Sequence, residues 1–190
     1  MNLRCTAALL ILAAGCQPVS PYEQMRRTEL ARADTVRELF LNYTLGMSQQ
    51  AFYDSSWALN RRGLVMQGPR NQNVQYKPAD LLPFPATMLF YPDFTSGRMA
   101  RMRILFQYDH WAPWNTRLSS DSLLLDVTQL MTQWYGGEFL AQTLTDAFNR
   151  PAQQFVSIRA NREIRIGLKS DQEVFVHITD LRNPPTIGQP

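Results

Sequence analysis

The chain has 190 residues, 45% of them apolar, which is ordinary for a globular protein and too apolar for intrinsic disorder. Nineteen Lys and Arg against sixteen Asp and Glu give a formal charge of +3 with no basic tract, so neither charge nor motif supports nucleic-acid binding. The two histidines and two cysteines fall at no metal-site spacing, so the sequence implies no metal and no other cofactor.

Residues 1–15 have the build of a secretory signal peptide. Arg4 supplies the positive n-region and Cys5 to Ala14 the apolar h-region, and Ala13, Ala14 and Gly15 are the small residues before Cys16. An apolar run of about ten residues makes about 15 Å of helix, half of the roughly 30 Å bilayer core, so a permanent span is excluded. Ala13-Ala14-Gly15-Cys16 resembles the lipobox of bacterial lipoproteins, with Leu12 one place away from that family's usual leucine. The resemblance implies cleavage before Cys16, diacylglycerol on its sulfur, and a mature chain with one cysteine and no internal disulfide. Three acyl chains, the usual total in that family, would make the membrane anchor permanent. Gln17 stands where an Asp retains enteric lipoproteins in the inner membrane, so the resemblance implies the outer membrane and leaves open which side the protein faces. Ala13 and Gly15 also suit the ordinary signal peptidase, which would release a soluble periplasmic protein.

In chain order, residues 16–25 read as a lipidated tether, because Pro18 and Pro21 lie among polar residues. The spacing of Leu30, Ala33, Val36 and Leu39 predicts a helix over Arg26 to Leu39, and Phe40 to Leu45 predicts a short strand. Ser48 caps a predicted helix from Gln49 to Arg62 that buries Phe52, Ser56 and Leu59, with Tyr53 and Trp57 on an adjacent flank. Gly63 ends it. Gln67 to Asn73 is turn-rich, Val74 to Lys77 a short strand, and Ala86 to Tyr91 and Met99 to Tyr108 are strands around Thr95-Ser96-Gly97. Alternation places Met102, Ile104, Phe106 and Tyr108 on one face and Arg101, Arg103 and Gln107 on the other.

A second helix is predicted from Ser120 or Asp121 to Tyr135, with Leu124, Val127, Met131 and Trp134 as its buried stripe and Gly136-Gly137 as its stop. Glu138 to Phe148 reads as a short helix that Pro151 breaks. Strands follow at Phe155 to Ala160, Glu163 to Lys169 and Glu173 to Leu181, and 183–190 reads as a disordered tail. The whole is an α+β domain over 26–182. Its order suggests a tandem duplication of an α-β-β-β unit, near 46–110 and 119–182, each helix packed on an antiparallel sheet. A single α+β domain with an accidental likeness of order is the alternative.

Gly46-Met47-Ser48 opening a helix with Phe52 at its first buried position, behind a lipobox, resembles the small outer-membrane lipoproteins of the SmpA/OmlA type. Gly68-Pro69 lacks the intervening residue of that family's Gly-x-Pro. The tandem plan is similar to the duplicated fold of the β-lactamase-inhibitor protein. These resemblances imply binding or scaffolding at the envelope, not catalysis.

Three constellations are candidates for function. Arg101, Arg103, Arg159, Arg165 and Lys169 fall on polar strand faces. They could form a mildly basic surface for an acidic partner or lipid headgroups, or a solvated face of cross-strand ion pairs with Glu163 and Glu173. Trp111 and Trp114 could stack on a sugar or seat a partner's side chain, or fold over the sheet edge as core lids. Ser119, Ser120, Asp109 and His110 lie close in sequence but without a nucleophile elbow, and His177 is expected on a solvated strand face. The reading is a lipid-anchored, non-catalytic module, held in the membrane through Cys16, that binds an envelope protein. A glycan-binding module and an envelope hydrolase are the alternatives.

Overall fold

The computed structural model describes residues 19–77, 80, 82–145 and 151–185. The signal peptide, Cys16, Gln17 and the end of the C-terminal tail lie outside the described residues. Among the described residues, three α-helices and one eight-stranded antiparallel sheet make a mixed α+β fold dominated by the sheet. No helix among the described residues is long and apolar enough to cross a membrane.

Helix α1 spans Pro21–Leu30, so the stretch read as tether is partly helical and the helix expected over 26–39 ends early. Ser20 accepts from the Glu23 backbone N–H at 3.2 Å, and Pro21 occupies the first helical position, where its missing N–H costs nothing. Beyond Leu30 the chain is held by tertiary bonds instead. Arg182 donates to the carbonyls of Arg32 and Asp34, and the Asn161 side chain accepts from the Val36 N–H at 2.7 Å. The strand expected at Phe40 to Leu45 is a tight turn over Phe40–Asn42, with Leu41 and Asn42 in the left-handed region. Only the bridge between Glu38 and Thr44 pairs there.

Helix α2 (Gln49–Arg61) is capped as expected by the Ser48 hydroxyl, which accepts from the Ala51 N–H. Phe52 and Leu59 are buried, and Tyr53 and Trp57 lie exposed on the flank. Strands β1 (Met66–Gln67) and β2 (Val74–Tyr76) follow, β1 overlapping the start of the stretch expected to be turn. Strand β3 (Ala86–Thr95) runs through Pro92, where the expected strand stopped. The proline is tolerated because β2 pairs only with Met88 to Phe90, so beyond them this side of β3 is an edge. Ser96 and Gly97, both at positive φ, turn the chain into β4 (Arg98–Tyr108).

Helix α3 (Ser120–Tyr135) is capped by Ser119 and buries Leu123, Leu124, Val127, Leu130, Met131 and Tyr135. After Gly136 and Gly137, both at positive φ, the chain forms strand β5 (Leu140–Thr145) and not the expected helix. Pro151 opens β6 (Pro151–Arg159), and the first residue of a strand tolerates the lack of an N–H. Strands β7 (Arg162–Leu168) and β8 (Glu173–Asp180) complete the sheet.

The strand order is β1-β2-β3-β4-β8-β7-β6-β5. Each half is a helix followed by four strands in sequence, one more strand than the expected unit has. The halves share one sheet instead of building two, because β4 pairs antiparallel with β8 from Arg101–Thr179 to Gln107–Glu173. One face of this sheet carries Met88, Phe90, Met102, Ile104, Phe106, Ile166, Val174, Val176 and Ile178, all fully buried or nearly so. Helix α3 covers it over β4, β7 and β8. Helix α1 lies against β6 and reaches the opposite face, where Tyr22 donates to the Glu163 carboxylate at 2.7 Å.

An aromatic cluster closes the core at the α2 end. The Phe90 ring lies 5.0 Å from Phe40 and 5.5 Å from Tyr43, and Tyr43 lies 5.2 Å from Phe52. Truncation of the fully buried Phe90 to Ala is expected to destabilise the protein by about 3–5 kcal/mol, as is usual for a core phenylalanine. Chemical denaturation checks it, and a loss below about 1 kcal/mol would contradict this placement.

Candidate functional site

The face of the sheet turned away from α3 is the candidate site. Strand register assembles its side chains into rows that cross all the central strands, so residues distant in sequence become neighbours. One row is Tyr91, Arg103, His177, Arg165 and Val156. Beside it run Leu89, Leu105, Phe175 and Gly167. On its other side are Asp93, Arg101, Thr179 and Glu163. Arg101, Arg103 and Arg165 are therefore brought together, as the alternation of their strands implied.

Each cation on this face has an acid within reach. Asp93 lies 2.9 Å from Arg103 and 3.8 Å from Arg101, Glu163 lies 3.3 Å from Arg165, and Glu173 lies 3.1 Å from Lys169. The cross-strand ion pairs foreseen as the bland alternative are thus present. They do not cancel the local field, because four cations face three carboxylates, and one of those three also accepts from the Tyr22 hydroxyl. The Arg103 and Lys169 side chains remain about half exposed.

His177 departs from the expectation of a solvated surface histidine. It sits between Arg103 and Arg165 in the row, its ring 4.8 Å from that of Phe175. Burial, then the charges of Arg101, Arg103 and Arg165, push its pKa down to about 4. The imidazole is neutral at pH 7, and its titration senses a positive potential at the centre of the face. Phe175 lies flat because Gly167 faces it across the strand pair; a Cβ there would come 2.7 Å from the ring. The apolar row Leu89, Leu105 and Phe175 is consequently half-buried beside the arginines.

The tryptophan loop is elsewhere. Trp111 is half-buried and Trp114 is 85% exposed, so Trp114 is not a lid on the core. Both follow the far end of β4, which puts them about 17 Å along the strand from Arg103. Asp109 accepts from Lys77 at 3.0 Å and Thr87 at 2.5 Å, and the Ser119 hydroxyl caps α3. Neither is joined to His110 among the described residues. Arg159 lies apart from Arg101, Arg103, Arg165 and Lys169, because it pairs with Arg162 on the core-facing side.

Sequence reasoning missed a second concavity. A cleft of about 290 Å³ lies between α2 and β1–β2, lined by Trp57, Tyr53, Asn60, Met66, Gln72 and Asn73 among others. The flank of Tyr53 and Trp57 was legible in the helical spacing, but nothing marked Met66–Gln67 as the strand that forms the opposite wall.

No protein-family model, no curated protein and no solved structure matches this chain. Its function therefore has to be argued from its own site.

The His177 ring gives the face a titration that can be measured. Its folded pKa lies below its unfolded one, so between about pH 6.5 and 4 the unfolded chain binds more protons. Stability is expected in full above pH 6.5 and to fall as the pH drops through that window. An NMR titration should place the ring near pH 4, and higher in Arg103→Gln. A normal value near 6.5 in the native protein would contradict the enclosure described here.

Proposed function

We infer that this is a lipid-anchored cell-envelope protein that works without catalysis as a binding or scaffold module. Its docking surface is the open sheet face, and its partner is an envelope protein that presents carboxylates beside an apolar anchor. The observation that carries this reading is the row Arg103–His177–Arg165 lying directly beside Leu89–Leu105–Phe175. Arginines beside half-buried aromatic and aliphatic groups are what protein interfaces concentrate. A partner's carboxylate could exchange for Asp93, whose bonds to Arg101 and Arg103 are partly exposed and hence individually weak.

The anchor supports the same surface. Tyr22, in the first turn of α1, stands beside Glu163 and 3.5 Å from Arg165. The five residue steps from Cys16 to Pro21 reach at most about 17 Å. A lipid on Cys16 would hold the open face close to the bilayer that anchors it, in the outer membrane by the resemblance of its leader. A partner seated there would be one that also sits at the membrane. The order of helix and strands in each half further supports a duplication about the β4–β8 pair, which would explain why both halves end in a central strand.

A photo-crosslinking residue in place of exposed Gln107, on this face, is expected to give one discrete protein adduct in intact cells. The adduct should vanish when Arg103→Glu and Arg165→Glu are added, and Leu125, on the outer side of α3, should give none. Equal adducts from both positions, or none from position 107, would overturn the assignment of the face. Separately, Cys16→Ser should abolish palmitate labelling; labelling that persists would refute the anchor.

A further inference from the structure

Arg162 is a cation set into the core and not into the open face. It is only 5% exposed and points to the core-facing side of β7. Its Cζ lies 4.5 Å from the centre of the Tyr135 ring, and Nη1 donates to the Glu38 carbonyl at 3.1 Å. Among the described residues no carboxylate pairs with it, and its Nε has no hydrogen-bond partner. The Tyr135 hydroxyl, also buried, makes no hydrogen bond of good geometry, its polar neighbour being the Phe40 backbone. Two orphan donors at one place are unusual, because a buried donor left unmet costs about 1–3 kcal/mol. A buried cation without an acid costs more.

Both orphans line the same cavity. It has a volume of about 400 Å³ and wraps the edge of β6 where β5 stops, since β5 pairs no further along β6 than Val156. Ser157 and Arg159 of the unpaired stretch face it, with Arg32 from just beyond α1 on the far wall. The Gly136–Gly137 turn forms the floor, with both residues at positive φ. A Cβ at Gly137 would press on the Ser157 hydroxyl at 3.2 Å, so the turn needs glycine to approach this closely. The acid on this wall is already committed: Glu29 accepts from the Ala160 N–H at 2.7 Å and lies 3.6 Å from Arg32. Glu138 also lines the cavity but is exposed at its rim. Burial pulls the Arg162 guanidinium's pKa down and pushes the Tyr135 phenol up to about 12, so the phenol stays a donor across the physiological range.

The walls thus offer the guanidinium groups of Arg162 and Arg159, with Arg32 already paired to Glu29 and Asp34, while the acceptor best placed among them is spent. A group that only accepts hydrogen bonds and carries negative charge is the complement of such a set. We propose that the cavity between α1, the end of α3 and the open edge of β6 is a binding site for a small oxyanion, a phosphate or carboxylate group, held by Arg162 and Tyr135. This site is separate from the open sheet face and does not depend on the partner proposed for it.

The test is titration of the whole folded protein with inorganic phosphate and, in parallel, acetate, against sodium chloride at equal ionic strength. One of the two anions is expected to raise the melting temperature saturably and to move the Arg162 Nε–H resonance; which one does so tells phosphate from carboxylate ligands. Tyr135→Phe should weaken the apparent affinity about tenfold, the loss of one charge-assisted hydrogen bond. Arg162→Met should abolish the response, and if that variant does not fold, Arg159→Met carries the same test at the rim. Responses to phosphate and acetate no larger than to chloride, with an unmoved Arg162 resonance, would overturn the proposal.

Discussion

The pairing of β4 with β8 is the constraint on which the rest of the molecule depends. These two strands are separated by more than sixty residues of intervening helix and sheet, yet seven residue pairs join them in an unbroken antiparallel ladder. On one side the seam sets Met102, Ile104 and Phe106 beside Ile178, Val176 and Val174, and α3 closes over that strip. On the other side the same register lines up Arg103 with His177 and Leu105 with Phe175. A shift by one residue would exchange the two sets and bury arginines under α3, so the core fixes the register and the register builds the face.

This explains why the face is assembled from both halves and belongs to neither. Arg101 and Arg103 come from one half, Arg165 and His177 from the other. Their electrostatics follow from closeness and not from total charge, since the chain as a whole is nearly balanced. Burial, and then three surrounding guanidinium groups, keep the His177 ring neutral, while Asp93 and Glu163 hold the arginines in place. An array of this kind is poised to trade an internal carboxylate for an external one. It orients an approaching acidic surface more than it adds affinity, as interface charges usually do.

Much of the fold was legible in the chain. Period-two alternation in Met102 to Tyr108 named the buried face correctly, Ser48 marked the start of one helix, and Ser120 or Asp121 fell one or two places past Ser119, the cap of the other. The missed elements share a physical cause: their backbone is satisfied by distant partners that local patterning does not encode. Met66–Gln67 becomes a strand only because Val74 and Gln75 lie opposite, and Leu140–Thr145 because β6 does. The helix expected to run to Leu39 ends at Leu30, where Arg182 and Asn161 take over its carbonyls and amides. Of the site, the arginines were legible as a polar strand face. The enclosure of His177 was not, because it requires knowing that β4 and β7 flank β8. The orphaned Arg162 was equally hidden, since nothing in its sequence neighbourhood distinguishes it from the surface arginines around it.

Native-state hydrogen exchange measures the seam directly. If one sheet unites the halves, the amides of Arg101 to Gln107 and Glu173 to Thr179 that bond across it exchange only through global unfolding, with a single common free energy. That common value is expected, shared by the strands of both halves that flank the seam. Exchange of the two halves at separate free energies, with β4 or β8 opening before the strands beside it, would contradict it.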